Sequence, residues 1–153
     1  MSDVLTSSLA SEANLGYLFR LAHQRFRAVL DDALQDLGLS AQEYIVLSVF
    51  ETRPQLSSSD LARITQVTRQ TMHAAVLRLE TAGLLERRSR NQRVIFVRLT
   101  KRGRRILADA TERVRGVERA ALADLSQTEE RVVRTWLGDV AAMSASTRQI
   151  KVR

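Results

Sequence analysis

Five hydrogen-bonding side chains lie close together near the middle of the chain: Thr68, Arg69, Gln70, Thr71 and His73. Apolar periodicity predicts a helix over residues 69–82, preceded by a turn at 66–68, so Thr68 lies directly before the helix and the other four lie in its first turns. Arginine can donate two hydrogen bonds to guanine, glutamine can pair with adenine, and threonine offers a hydroxyl or a methyl group. Taken alone, they are also what a soluble first helical turn would carry. Next to a second helix and a basic hairpin, they become candidates for contacting base edges of duplex DNA.

A second group of side chains consists of arginines that crowd a predicted hairpin. Strands are predicted over residues 84–88 and 93–99, joined by a polar turn at 89–92. Guanidinium groups this close repel one another unless an anion lies between them, and the negative potential of a DNA minor groove attracts inserted arginine. The candidate DNA contacts here are Arg88, Arg90, Asn91 and Arg93, and Ser57, which precedes a short predicted helix, is added to them.

The distribution of charge agrees with these two groups. Residues 61–105 contain 12 basic and 2 acidic side chains, a surplus of +10, whereas the other 108 residues contain 12 basic and 15 acidic ones, a balance of −3. The two sums give the net charge of +7. One basic face on a near-neutral body is typical of a protein that binds a polyanion, although a charge run alone is more often a solvated loop.

The elements that must position these side chains can be predicted from periodicity and helix caps. Helices are expected over residues 13–37, 41–52, 58–65, 69–82, 101–125 and 127–145. Gly38 fits the stop of the first helix, and Thr100 fits the start of the fifth. Met72, Ala74 and Ala75 are predicted on the buried face of the fourth. Capping-box pairs mark three helix starts: Ser40 with Glu43, Ser57 with Asp60 and Ser126 with Glu129.

This order of elements predicts a mainly α-helical fold with a small β-hairpin, a winged helix-turn-helix. We expect one domain over residues 1–153, with a compact DNA-binding part at about 41–100 and dimerisation helices at about 13–37 and 101–145. The end helices lie outside the compact part in sequence and are too long for all of their apolar stripes to pack against it, which favours burial against a second copy of the chain. The alternative is a pair of end helices that pack on each other within one chain.

Other classes of protein find little support. The chain has no cysteine, and its two histidines, His23 and His73, lack the spacing of metal ligands. It has no glycine-rich phosphate loop and no nucleophile elbow, so we expect no enzyme, no metal and no cofactor. Neither a membrane span nor a signal peptide is expected, which suits the cytoplasm. His23 is a candidate for a ligand site, although an ordinary surface or interface histidine is more frequent.

Several short motifs follow one another along the chain: Leu61-Ala62, Val67 to Thr71, Leu79-Glu80-x-x-Gly83-Leu84-Leu85, Arg93 and Leu99-Thr100-x-x-Gly103. This ordered set resembles the MarR/SlyA family of winged helix regulators. The resemblance covers nearly the whole chain. It implies a homodimer on a palindromic duplex, often a repressor, that is released by a small anionic or phenolic ligand bound between the dimerisation and DNA-binding parts.

Several positions depart from the family pattern. Asn91 stands where the wing usually has aspartate, and Ala74 where the recognition helix often has arginine. The absence of cysteine excludes the family's thiol-based sensing, and the first-helix tryptophan of urate-responsive members is missing. The resulting hypothesis is a sequence-specific transcriptional regulator released by a ligand. The alternatives are a DNA-architectural or effector-free DNA-binding protein, and an interaction module without DNA function, which the +10 segment argues against.

Overall fold

The computed structural model describes residues 14–53, 56, 58–64, 68–91 and 94–143. Within these residues there are six α-helices and one antiparallel two-stranded hairpin. A 3-10 turn at Gln35–Leu37 follows the first helix. In chain order the elements are α1 (Leu15–Leu34), α2 (Ala41–Thr52), α3 (Ser58–Ile64), α4 (Arg69–Thr81), β1 (Leu85–Asn91), β2 (Val94–Leu99), α5 (Lys101–Ala121) and α6 (Gln127–Ala142).

The predicted fold class, mainly helical with a small hairpin, is confirmed. The capping boxes at Ser40 and Ser126 are both formed, and Gly38 ends the first helical segment at φ 68°, in the left-handed region. The predicted box at Ser57 lies outside the described residues. The fifth helix ends at Ala121, earlier than predicted, because a turn over residues 122–124 precedes the Ser126 cap.

The hairpin is longer than predicted. Its register pairs Leu85 with Leu99 and Ser89 with Ile95, and then shifts by one residue to pair Asn91 with Val94. The predicted turn at 89–92 is therefore wrong in length, since β1 continues through residue 91. Polar side chains suggested a turn there, but ladder hydrogen bonds use the backbone, which pairs whatever the side chain.

The chain divides into two compact units, residues 1–117 and 118–153. The core of the first unit surrounds Phe50 and Leu47 of α2 and includes side chains from both strands. Leu34 of α1 and Leu107 of α5 belong to the same core and are almost fully buried. The prediction that a second copy covers the stripes of the end helices is therefore wrong for their inner ends, because the small three-helix unit gains apolar burial by packing against them.

The corner between α1 and α2 is held by polar contacts as well. Asp31 accepts a hydrogen bond of 2.6 Å from the backbone N–H of Ala41 and so adds a cap to α2. Arg113 of α5 donates to the carbonyl of Ala33 at 3.1 Å and forms an ion pair with Asp36. The Arg113 hydrogen bond holds the pKa of the Asp36 carboxyl below its ordinary value.

The second unit consists mainly of the end of α5 and α6. None of the 16 described residues of α6 is buried, although it carries Val132, Trp136 and Leu137, all exposed. Across the described ranges, no helix has both the length and the apolar character that crossing a membrane requires.

Candidate nucleic-acid interface

The start of α4 is shaped by its own threonines. The hydroxyl of Thr68 accepts a hydrogen bond of 3.1 Å from the backbone N–H of Thr71, and the two hydroxyls lie 2.9 Å apart. This N-cap satisfies a backbone donor that the helix would otherwise leave unpaired. Thr68 and Thr71 therefore position the helix start as well as remaining exposed beside it.

The two faces of α4 are sharply different. Met72, Val76 and Leu79 are buried in the core, on the side where α4 packs against α2 and α3. The sides of the helix turned away from the core expose Gln70, His73, Ala74 and Leu77, which we call the α4 outer face. Arg69 is also exposed, but from the first turn and on the side of the buried Val76, seven residues later. The predicted recognition residues are thus exposed together along the start of one helix.

One predicted position on α4 is wrong. Ala74 was expected on the buried face with Met72 and Ala75, but it is exposed, while Ala75 is half-buried. The residues that are buried follow the spacing 72, 76 and 79, and a helix advances 100° per residue, so position 74 points away from them. An alanine fits either face, which is why its type gave no guidance.

An ion pair holds α4 against the start of α2. The guanidinium of Arg78 binds both carboxylate oxygens of Glu43 and donates to the carbonyl of Gly38 at 3.2 Å. Glu43 also accepts from the backbone N–H and hydroxyl of Ser40, both at 2.9 Å. Burial opposes ionisation of Glu43, but the Arg78 and Ser40 donors outweigh it, so its pKa lies below the ordinary value. Helix α4 is thereby tied to the α1–α2 corner.

The junction between α4, the hairpin and α5 is formed by residues of two motifs from the sequence, the one that contains Gly83 and the one that runs from Leu99 to Gly103. Gly83 ends α4 at φ 70°, and the N–H of Leu84 donates to the carbonyl of Leu79 at 2.9 Å, the bond expected when a helix ends in a left-handed residue. The Thr100 hydroxyl donates to the carbonyl of Gly83 at 2.8 Å and accepts from the N–H of Gly103 at 2.9 Å. The predicted cap at Thr100 is confirmed, and it fixes where the hairpin leaves the helices.

Residues 61–105 contain two acidic side chains, and both pair with arginines of the hairpin. Glu80 accepts from Arg87 at 2.7 Å, while Glu86 lies 3.0 Å from Arg88 and 2.7 Å from Arg98. The hydrogen bond from Arg98, the largest cause, holds the pKa of Glu86 below its ordinary value. The negative charge expected between the arginines is therefore supplied in part by these two carboxylates of the chain itself. Three arginines share two carboxylates, which leaves the hairpin positively charged.

The other predicted contacts are placed only in part. Arg90 and Asn91 lie in β1 at the register shift, while Ser57 and Arg93 lie outside the described residues. His23 is exposed on α1. Sequence reasoning missed Leu77 on the α4 outer face and the Glu43–Arg78 pair. The spacing of Leu77 from Gln70, seven residues or two turns, was a signal for the first; the second joins residues 35 apart and left none.

Known proteins match this arrangement in sequence and in structure. The model of the MarR family matches residues 37–93. The HTH-type transcriptional repressor Rv2887 of Mycobacterium tuberculosis is 35% identical over 125 residues, which cover 80% of this chain and 90% of the repressor.

Solved structures of that relative superpose well on this chain. The Mycobacterium tuberculosis MarR family protein Rv2887 in complex with DNA has a TM-score of 0.71 at 32% identity, covering 85% of this chain and 99% of that one. The same protein in complex with salicylic acid has a TM-score of 0.70 at 34% identity, covering 86% and 99%. With this identity over most of both chains, the protein belongs to the MarR family of winged-helix transcriptional regulators.

Proposed function

We propose that this chain is a sequence-specific, DNA-binding repressor that acts as a homodimer and leaves its site when it binds a small phenolic acid. The observation that carries the proposal is the exposed start of α4. It presents Arg69, Gln70 and His73 to solvent from a helix that is anchored in the core by Met72, Val76 and Leu79. These side chains have the donors that read base edges in a major groove.

Charge supports the same partner. The +10 surplus of residues 61–105 covers α4, the hairpin and the start of α5, and the rest of the chain carries −3. Contacts between such a segment and phosphates release counterions, so binding should weaken steeply with salt. No reaction is needed for this role, and we propose that the protein is not an enzyme and works in the cytoplasm.

The partner of the apolar end helices is inferred to be a second copy. In α1, Leu15 and Val29 are more than half exposed, as is Val132 in α6. Exposed apolar stripes of this length are unusual on a monomer. A two-fold dimer would bury them and would place two copies of α4 on successive turns of a duplex.

Relatives support a ligand-released repressor over an architectural protein. The sequence relatives are named repressors, and Rv2887 has been solved with salicylic acid and with p-aminosalicylic acid. Both compounds are small aromatic carboxylates, which agrees with the anionic or phenolic class expected from the sequence. We propose that the effector of this chain belongs to that class.

Selection from random duplexes tests the proposal. The purified protein should enrich one palindrome whose half-sites lie about 10 base pairs apart, or a multiple of this distance. Salicylic acid at millimolar concentration should release the selected duplex, while benzyl alcohol, which is neutral, should not. Enrichment without sequence preference and without release would favour the architectural alternative. Single half-sites would contradict the dimer.

Replacing Arg69 with alanine should relax base preference at one position of each half-site. The loss of a base-edge contact costs about 1–3 kcal/mol per half-site on the preferred sequence, and Gln70→Ala should behave likewise at another position. The measurement is binding to a panel of duplexes that carry each single base change.

Two further variants separate base reading from charge. Arg90→Ala, in the hairpin, should weaken all duplexes by similar factors and lower the slope of log affinity against log salt. Arg134→Ala removes the same charge from α6, where Arg134 pairs with Glu130, and should leave DNA affinity unchanged. If Arg69→Ala keeps the full base preference, α4 is not the recognition helix.

A further inference from the structure

The α4 outer face contains an apolar strip that hydrogen bonding to base edges leaves unused. Leu77 is 52% exposed, and Ala74, one turn before it, is exposed too. A single exposed leucine is ordinary on a protein surface, and Leu77 is informative only because it lies on the same face as Gln70 and His73, the candidate base-contacting residues. The chain does not bury Leu77 in its own core, although Val76 and Leu79 beside it are nearly inaccessible.

The position of Leu77 indicates what covers it. Residues 70, 73, 74 and 77 recur at three- and four-residue steps and therefore form one stripe along the helix. Seven residues advance a helix by about 10 Å, which is the length of about three base pairs. A helix that places Gln70 against base edges at one end of this stripe thus carries Leu77 along the same groove.

The positive charge around this stripe favours DNA, a polyanion, as the partner that covers it. The α4 outer face lies within the segment of +10 charge, and Arg69 is exposed next to Gln70 in the first turn of the same helix. The stripes of α1 and α6 lie outside that segment and are better candidates than Leu77 for the dimer interface. An apolar group that faces a major groove has one good partner there, the C5-methyl group of thymine.

We propose that Leu77, with Ala74 beside it, selects thymine by apolar contact with the C5-methyl group. The inference rests on the proposed DNA-binding function and deepens it, because it assigns a base and a chemical group to residues that cannot hydrogen bond. The same contact explains how this chain reads DNA with alanine at position 74, where the family pattern often has arginine.

Uracil substitution tests the contact directly, because deoxyuridine pairs as thymidine does and lacks only the methyl group. In the duplex recovered by selection, each thymine is replaced in turn by uracil. One thymine in each half-site should prove sensitive, with affinity lowered about fourfold per half-site, the equivalent of one buried methyl-sized group. The wild-type salt slope should not change, because no charge is lost.

The variant that completes the test is Leu77→Ala. It should bind the thymine and uracil duplexes equally at the sensitive position while keeping its response to base changes opposite Arg69. The matched control is Thr81→Ala, one turn further along the helix, which should keep the uracil effect. Thermal unfolding should show both variants folded, since Leu77 and Thr81 are exposed.

Two failures can be told apart. If no preferred duplex is recovered, the proposed function fails and this inference fails with it. If a palindrome is recovered but uracil has no effect at any thymine, or Leu77→Ala keeps the wild-type sensitivity, the DNA-binding function stands and the thymine contact is refuted.

Discussion

Gly103→Ala is expected to lower the free energy of unfolding by about 3 kcal/mol, at the upper end of what overpacking costs. A Cβ built on Gly103 would overlap the carbonyl oxygen of Leu84, and it would lie 3.0 Å from the carbonyl carbon and 3.1 Å from Cδ2 of Leu99. The backbone of Leu84 cannot move aside easily, because its carbonyl also accepts from the N–H of Thr100 at 3.0 Å. Urea unfolding followed by circular dichroism measures the change.

Gly138→Ala is the matched control. Gly138 lies inside α6, and a Cβ there would meet no atom within 4 Å among the described residues. The same substitution should leave stability unchanged or raise it by up to about 1 kcal/mol, because alanine favours a helix over glycine. Equal effects of the two substitutions would show that the junction tolerates a side chain at position 103 and that the close approach is not what requires glycine.

The close approach at Gly103 could not be predicted from the sequence, whereas the helix caps could. The motif that ends in Gly103 was found as a family resemblance, and its physical reason became visible only in the structure. Gly103 and Leu84 are 19 positions apart, and no local periodicity reports a contact at that separation. By contrast, the caps at Ser40, Thr100 and Ser126 could be predicted, since each depends on side chains within three residues of the helix start.

Apolar periodicity predicted helices better than it predicted their partners. The stripe on α5 was assigned to a dimer, yet Leu107, Ala110 and Val114 are buried in the core of the first unit. An apolar stripe on a helix indicates that one face is buried, but it does not identify the element or the chain that covers this face. Sequence reasoning did not consider Leu77 at all, because it lies outside the spacing of the buried residues 72, 76 and 79.

Arg78→Ala is expected to destabilise the fold by about 1–3 kcal/mol, because it leaves a buried carboxylate without its principal partner. The Glu43 side chain is only 5% exposed, whereas that of Arg78 is 61% exposed and partly solvated, which keeps the cost below that of a fully buried pair. DNA affinity should fall as well, since the pair fixes α4 against α2. Urea unfolding at pH 7 and binding to the selected duplex measure the two effects.

The dependence on pH identifies the pair as the cause. In the native chain the pKa of Glu43 is lowered from 4.5, so its stabilising contribution is complete above that value and disappears as the pH falls towards the folded pKa. The difference in stability between wild type and Arg78→Ala should therefore be largest near pH 7 and shrink below about pH 4. Other carboxylates titrate in the same range, but they are common to both proteins and cancel in the difference.

Arg134→Ala, which opens an exposed pair on α6, should show little effect at either pH. A difference that stays constant down to pH 3 would mean that Arg78 stabilises α4 through its packing alone. Arg78→Lys decides the remaining question: lysine keeps the charge but not the two-pronged geometry, so it should restore part of the stability and less of the DNA affinity.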